Sequence, residues 1–306
     1  MEQQKKIVFL IEESMADLRI DKVIAEAYPD FSRSYIQKLI KDGLVSIHGK
    51  VVKANYRPQC GEEIQLLIPE PELLSIEPEN IPLDIVYEDK DVILINKPKD
   101  MVVHPAPGHY SGTLVNALMY HCRDNLSGIN GVLRPGIVHR IDKDTTGIII
   151  ACKNDIAHNS LAEQLKVHSI TRKYNALVYN NFKEEEGTVN APIGRHPIDR
   201  KKMAINHKNG KDAITHYRVL DNFSGYAHIE CCLETGRTHQ IRVHMTSISH
   251  PLLGDEIYGP AKSKFHLQGQ ALHARVFGFQ HPTTGEYMEF EAPLPEYFTN
   301  LLKTLN

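Results

Sequence analysis

The chain has 306 residues, longer than one ordinary domain, so a small module beside a larger one is the first expectation. Its 42% hydrophobic content suffices for packed cores, yet no apolar run could cross a membrane and "MEQQKKIVFLIEES" lacks the pattern of a secretory signal, which points to the cytoplasm. A net charge of -3 and five cysteines without a C-x-x-C pair argue against a globally basic nucleic-acid binder, a disulfide framework and a cysteine zinc site.

The average conceals local asymmetry. From Met15 to Cys60 there are eight Lys and Arg against five acids, and from Arg195 to Lys211 six against one. Near the start, "RIDKVIAEAY" places Ile20, Val23, Ile24 and Ala27 at helical spacing, and "SRSYIQKLIKDG" does the same with Ile36, Leu39 and Ile40. Ser32 suits the N-cap of this second helix and Gly43 its C-terminal cap. Arg33, Gln37 and Lys41 recur every four residues as a basic stripe opposite the apolar one, with Lys38 beside it. "LVSIHGKVVK" then reads as two short strands around a His48-Gly49 turn.

The order of helix, basic helix and hairpin resembles the S4 RNA-binding domain, which implies a module that grips structured RNA. We bound it at residues 1–76, followed by a Pro- and Glu-rich linker at 77–84 containing Pro78 and Pro82. Beyond, residues 85–306 hold many short strands ("DVILINKP", "GIIIA", "KYNALVY", "THYRVL", "YAHIECCL", "YMEFEA") with only occasional helical patterns such as "SGTLVNALMY" and "IAHNSLAEQLK". Strands without regular intervening helices predict an α+β fold built on a largely antiparallel mixed sheet.

"HRIDKDTTG" concentrates charge immediately before the apolar run "IIIA". Asp144, Thr145 and Thr146 are suited to shaping a loop through local hydrogen bonds, whereas Asp142 lies where a sheet edge can hold a carboxylate in a cleft. This stretch resembles the signature of the RluA-type pseudouridine synthases, most closely the RluD-like branch. "NKPKDMVVHP", "TRKYNALVY", "IGRHP", "TGRTHQIRVH", "HPLLGDEIYG" and "LHARVFGFQHP" match further blocks of that family in order, across Ile85 to Pro293. Departures are mild: Ile141 replaces a usual Leu, Thr146 a usual Ser, and Asp100 stands where many members carry Gly.

The resemblance implies isomerisation of uridine in RNA, most plainly large-subunit ribosomal RNA or an assembling ribosomal subunit, while other family members act on transfer RNA. With no metal-site or phosphate-loop motif no cofactor or metal is expected, and with no evident self-association feature a monomer is the default. The resemblance also implies Asp142 as the catalytic carboxylate, Arg242 as the cation that keeps it ionised, and Tyr174 as the ring beneath the uracil. His139, Arg140 and Leu272 are expected at the substrate, Arg140 by filling the space of an extruded nucleotide. Arg33, Lys38, Lys41, Arg195 and Lys202 are expected to meet RNA phosphates. "GRTHQIRVHMTSI" reads as a helix starting near Thr238 and carrying Arg242. A metal centre on His239 and His244 is disfavoured, since at about 100° per residue the two diverge around a helix. A non-catalytic S4-type RNA-binding or ribosome-assembly protein is the alternative, and it has no need to bring Asp142, Tyr174 and Arg242 together. A hydrolase with Asp142 as base would further need a placed water with a partner acid or metal.

Overall fold

The computed structural model describes residues 5–69, 76–105, 109–123, 125–131, 134–199 and 202–305. The chain divides into two compact units, Met1–Leu74 and Ser75–Asn306.

In the first unit, β1 (Lys5–Leu10) precedes α1 (Ile20–Ala27), α2 (Arg33–Lys41), β2 (Val45–Ile47), β3 (Lys50–Val51) and β4 (Glu63–Ile68). The strands pair antiparallel in the order β1-β4-β2-β3. Ile20, Val23 and Ile24 of α1 and Ile36, Leu39 and Ile40 of α2 pack with Val45, Ile47, Ile64 and Leu66 into one core. The ends of α2 follow from two residues. The Ser32 hydroxyl accepts the Tyr35 N–H, and Gly43, at φ 74°, lets its own N–H reach the Ile40 carbonyl and the Leu44 N–H reach that of Leu39. The basic stripe is exposed along its length. Asp21, fully buried on α1, accepts hydrogen bonds from Arg19 and Gln37 and has Arg33 at 3.5 Å, so Arg33, exposed like Lys38 and Lys41, also helps join the two helices.

The second unit contains β5 (Ile85–Glu88), β6 (Val92–Lys97), α3 (Leu114–Cys122), β7 (Thr146–Cys152), α4 (Asp155–Lys166), β8 (Thr171–Tyr179), β9 (Glu186–Asn190), β10 (Ile193–Arg195), β11 (Met203–Ile205), β12 (Ile214–Phe223), β13 (Tyr226–Leu233), α5 (Gln240–Ser247), β14 (Leu272–Gln280), β15 (Tyr287–Glu291) and α6 (Glu296–Leu305). Its main sheet runs β5-β6-β7-β14-β8-β13-β12-β9, with β15 also on β14, and β10 and β11 form a separate hairpin. All pairs in the main sheet are antiparallel except β7 with β14. The α+β expectation therefore holds.

The run "GIIIA" is apolar throughout because β7 is covered on both faces. Ile149 and Ala151 face one core with Val115 and Leu118 of α3 and Ile241 and Met245 of α5. Ile148, Ile150 and Cys152 face another with Ala157 and Leu161 of α4. Gly147, at φ 106°, permits the parallel contact with β14, since a Cβ there would lie 2.2 Å from the Ala274 carbonyl oxygen.

The segment expected as a linker at 77–84 packs on the second unit. Ile76, Ile81 and Leu83 join its core. The Asn116 side chain donates to the Glu77 carbonyl, the Glu79 N–H donates to the Asn116 carbonyl, and the Glu79 carboxylate accepts the Gly112 N–H. Prolines there stiffen an extended strap whose apolar residues are used. Asp142 differs from expectation too: it precedes β7, an interior strand of the sheet and not an edge.

Candidate active site

The loop before β7 is pinned at several points. The Thr145 N–H donates to the Asp142 carbonyl, closing a turn. Lys97, at the end of β6 and fully buried, donates from Nζ to the carbonyls of Pro98, Met101 and Lys143 at 2.7, 3.0 and 2.9 Å. Burial pulls its pKa down to about 7 while Asp144, Asp142 and Asp100 oppose that shift. Asp100, at φ 64°, occupies the left-handed region that explains a glycine preference there, and its carboxylate lies 2.6 Å from Lys143.

His139 holds the same loop from behind. Its Nε2 accepts the Ile150 N–H at 3.1 Å and its ring stacks on Phe277. Burial pushes its pKa to about 3, so the ring is neutral and fixed to β7. It borders the cleft as expected, but its polar edge serves the loop.

Arg242 rises from α5 to meet Asp142: Nη1 donates to Oδ2 at 2.9 Å. The rest of the guanidinium is gripped by Asp255, with Nε to Oδ2 at 2.7 Å and Nη2 to Oδ1 at 2.9 Å. Asp255 is fully buried and also accepts the N–H groups of Ile257 and Tyr258. These contacts, led by the Asp255 hydrogen bond, raise the Arg242 pKa despite burial. Arg242 is thus a permanent charge in fixed orientation, and Asp142, 17% exposed, is reachable from the cleft.

The helix begins near Thr238 as expected, with His239 as its N-cap, in the left-handed conformation at φ 56°. The cause is tertiary. His239 Nδ1 lies 2.8 Å from the Tyr258 hydroxyl, which also receives the Met203 N–H at 2.8 Å. The other ring nitrogen of His239, Nε2, lies 3.8 Å from Asp142 Oδ1. Burial lowers the His239 pKa and keeps the ring neutral.

Tyr174 on β8 is 8% exposed, and burial, with the Asp142 charge adding to it, raises its pKa so that the phenol stays neutral. Leu272 opens β14 at 4% exposure. Asp142, Tyr174, Arg242, Arg140, His139 and Leu272 all line one cleft of about 520 Å³. Among its described lining residues Arg140, Lys166, Arg172, Arg237 and Arg242 are cationic and Asp142 alone is acidic, a local excess that the chain's overall charge hides. A second hollow of about 250 Å³ shares Arg140, Asp142, His239 and Arg242, so Asp142 stands in the wall between the two.

Arg195 and Lys202 lie apart from that lining, at the β10–β11 hairpin, where Arg195 pairs with Met203 and the Lys202 carbonyl accepts the His196 N–H. Arg33, Lys38 and Lys41 belong to the first unit. Asp255, Lys97 and His239 were missed as site residues although they lie within quoted motifs, because the motifs mark the blocks without showing which side chains face one another.

One group elsewhere has metal-ligand chemistry. Asp89, Asp91 and His281 bring ligand atoms within 4.8 Å of one another. Those atoms already serve the fold: His281 Nδ1 accepts the Thr283 and Thr284 N–H groups, leaving Nε2 to donate to Asp89, while Asp91 accepts from Asn154 and Thr283.

Residues 91–247 match the model of the RNA pseudouridylate synthase family, and residues 18–64 match the S4 domain. An uncharacterized RNA pseudouridine synthase of Bacillus subtilis is 55% identical over 287 residues, 94% of each chain. The ribosomal large subunit pseudouridine synthase D of Zymomonas mobilis is 46% identical over 303 residues, covering 96% of this chain and 95% of its own. The solved structure of human RNA pseudouridylate synthase domain containing 1 shares the fold, with TM-score 0.57 and 24% identity over 77% of this chain and 97% of its own.

Proposed function

The chain belongs to the RNA pseudouridylate synthase family and carries an S4 domain, and from that premise we propose that it converts uridine to pseudouridine in large-subunit ribosomal RNA with Asp142 as its catalytic carboxylate. The observation that carries the residue assignment is the 2.9 Å contact of Asp142 with Arg242, whose orientation is held by Asp255. The ribosomal substrate is supported by the relatives named for the large subunit, including the Zymomonas mobilis protein.

The reaction breaks the N1–C1′ bond, turns the uracil and joins C5 to C1′. C5 gives up a proton and N1 gains one, so the isomerisation balances with nothing added. Asp142 attacks C1′ or removes a sugar proton; both routes start from an ionised carboxylate in a site shielded from water. Arg242 places its positive charge 2.9 Å from that carboxylate. Tyr174 offers a neutral ring and Leu272 an apolar wall against the base, while Arg140, exposed at the mouth of both hollows, replaces the extruded nucleotide in the stack. Lys38, Lys41, Arg195 and Lys202 contact phosphates farther along the RNA.

The test is incubation of purified chain with unmodified ribosomal RNA, without added metal, followed by mapping of pseudouridine. Wild type forms it, and Asp142→Asn, with the same shape and no charge, forms none. Product made by that variant at the wild-type rate would refute the assignment.

A further inference from the structure

Arg172 and Arg242 line the same cleft and are similarly buried, at 6% and 5% exposure, but their surroundings differ. Arg242 is held by two carboxylates. Arg172 has a single neutral acceptor, the Glu234 carbonyl at 2.8 Å from Nη2, and its buried Nε–H has no partner among the described residues. Burial lowers its pKa, Tyr174 and Cys232 oppose that shift, and the Arg237 charge adds to it. A cation withdrawn from water is normally balanced by a carboxylate or a bound anion. The chain keeps room for this one. A Cβ on Gly236 would lie 2.6 Å from Arg172 Nη1, so the guanidinium rests against bare backbone.

Arg172 stands two residues before Tyr174 on β8, hence on the same face of the strand, and both border the cleft that receives the uridine in the reading above. Lys166 and Arg237 line that cleft as well, and Arg237 turns its own Nε to the Asp212 carbonyl, again a neutral acceptor. A base carbonyl could satisfy the idle Nε–H but would leave two adjacent positive charges unbalanced. A phosphodiester satisfies both the hydrogen bond and the charge, and an RNA strand brings one with every nucleotide.

We infer that Arg172, with Arg237 beside it, forms a phosphodiester-binding site inside the cleft, which seizes the backbone next to the extruded uridine. The inference rests on the proposed pseudouridine chemistry only for the identity of that nucleotide. The site is distinct in role from Arg242, which serves Asp142, and from Arg140, which is exposed at the mouth.

The probe is the trinucleotide UpUpU, titrated into the full chain at fixed ionic strength and followed by NMR, in its natural form and with both linkages replaced by neutral methylphosphonates. Wild type binds the charged form about tenfold more tightly than the neutral one, as expected for loss of a charge-assisted contact. Arg172→Gln binds both equally, at the level of wild type with the neutral form, so that the two changes do not add. Gly236→Ala guards against a misfolded Arg172 variant: it displaces Nη1, a flexible end, and reproduces part of the loss while unfolding as wild type does. Equal binding of the two backbones by wild type, or an undiminished preference for the charged form in both variants, overturns the site. These outcomes are independent of the reaction: a chain that leaves ribosomal RNA unmodified refutes the proposed function, while the trinucleotide titrations still decide the phosphate site.

Discussion

Asp255 holds Arg242 with both carboxylate oxygens, at 2.7 and 2.9 Å, and leaves one guanidinium nitrogen to reach Asp142 at 2.9 Å. The arrangement is a charge chain of acid, base and acid, in which the innermost member is fully buried and the outermost faces the cleft. Asp255 therefore positions the cation that meets the proposed catalytic carboxylate.

Asp255→Asn keeps the shape but replaces one acceptor oxygen with an amide, leaving Arg242 half gripped and the buried charge poorly balanced. Breaking one side of a buried ion pair costs about 3 kcal/mol, and misplacing a catalytic group lowers turnover on the order of 10²-fold. Urea unfolding and single-turnover pseudouridine formation measure the two effects separately. Wild-type turnover in a clearly destabilised variant would show that Arg242 finds its place without Asp255.

Lys97 makes a pH-dependent contribution. Its folded pKa, pulled to about 7 by burial, lies below the 10.5 of a free lysine. Below pH 7 both states carry the proton and the burial penalty is fully present. Between about 7 and 10.5 the native state releases the proton first, the unfolded chain binds more protons, and stability rises by at most about 1.4 kcal/mol per pH unit. Activity moves the other way. A neutral amine has two N–H groups for the three carbonyls of Pro98, Met101 and Lys143, so the loop carrying Asp142 loosens. We expect turnover to fall above pH 7 while stability against urea does not, and Lys97→Met to lack that alkaline limb. Parallel alkaline profiles for the two proteins would remove Lys97 from the account.

The parts of this molecule legible in the sequence are those governed by local rules. Ser32 and Gly43 bounded α2 correctly because a cap involves residues three to five apart, and the apolar run "GIIIA" was legible as a strand. Asp142 and Arg242, 100 residues apart, could be paired only through the family motifs. Asp255, Lys97 and Arg172 stayed hidden because a buried charge leaves no periodic trace; its meaning depends on what the fold places opposite. The left-handed N-cap of α5 was equally out of reach, since His239 meets Tyr258, 19 residues on. Prolines and acids marked a linker at 77–84, and its Ile81 and Leu83 side chains pack on the core of the second unit.

The first unit yields a prediction that separates two kinds of basic residue on one helix. Lys38 and Lys41 are exposed in the last turn of α2, while Arg33 lies 3.5 Å from the buried Asp21, where its charge is already engaged. If α2 meets RNA phosphates, each lysine releases counterions on binding and contributes about one to the slope of log affinity against log salt. The double variant Lys38→Gln, Lys41→Gln therefore binds a ribosomal RNA transcript with a slope lower by about two, whereas Arg33→Gln changes the slope by less than either lysine. Filter binding across a salt series with the full chain measures all three. A slope unchanged by the double lysine variant would exclude this face of α2 from the RNA contact, and a larger change from Arg33→Gln would mean that Asp21 releases the arginine when RNA arrives.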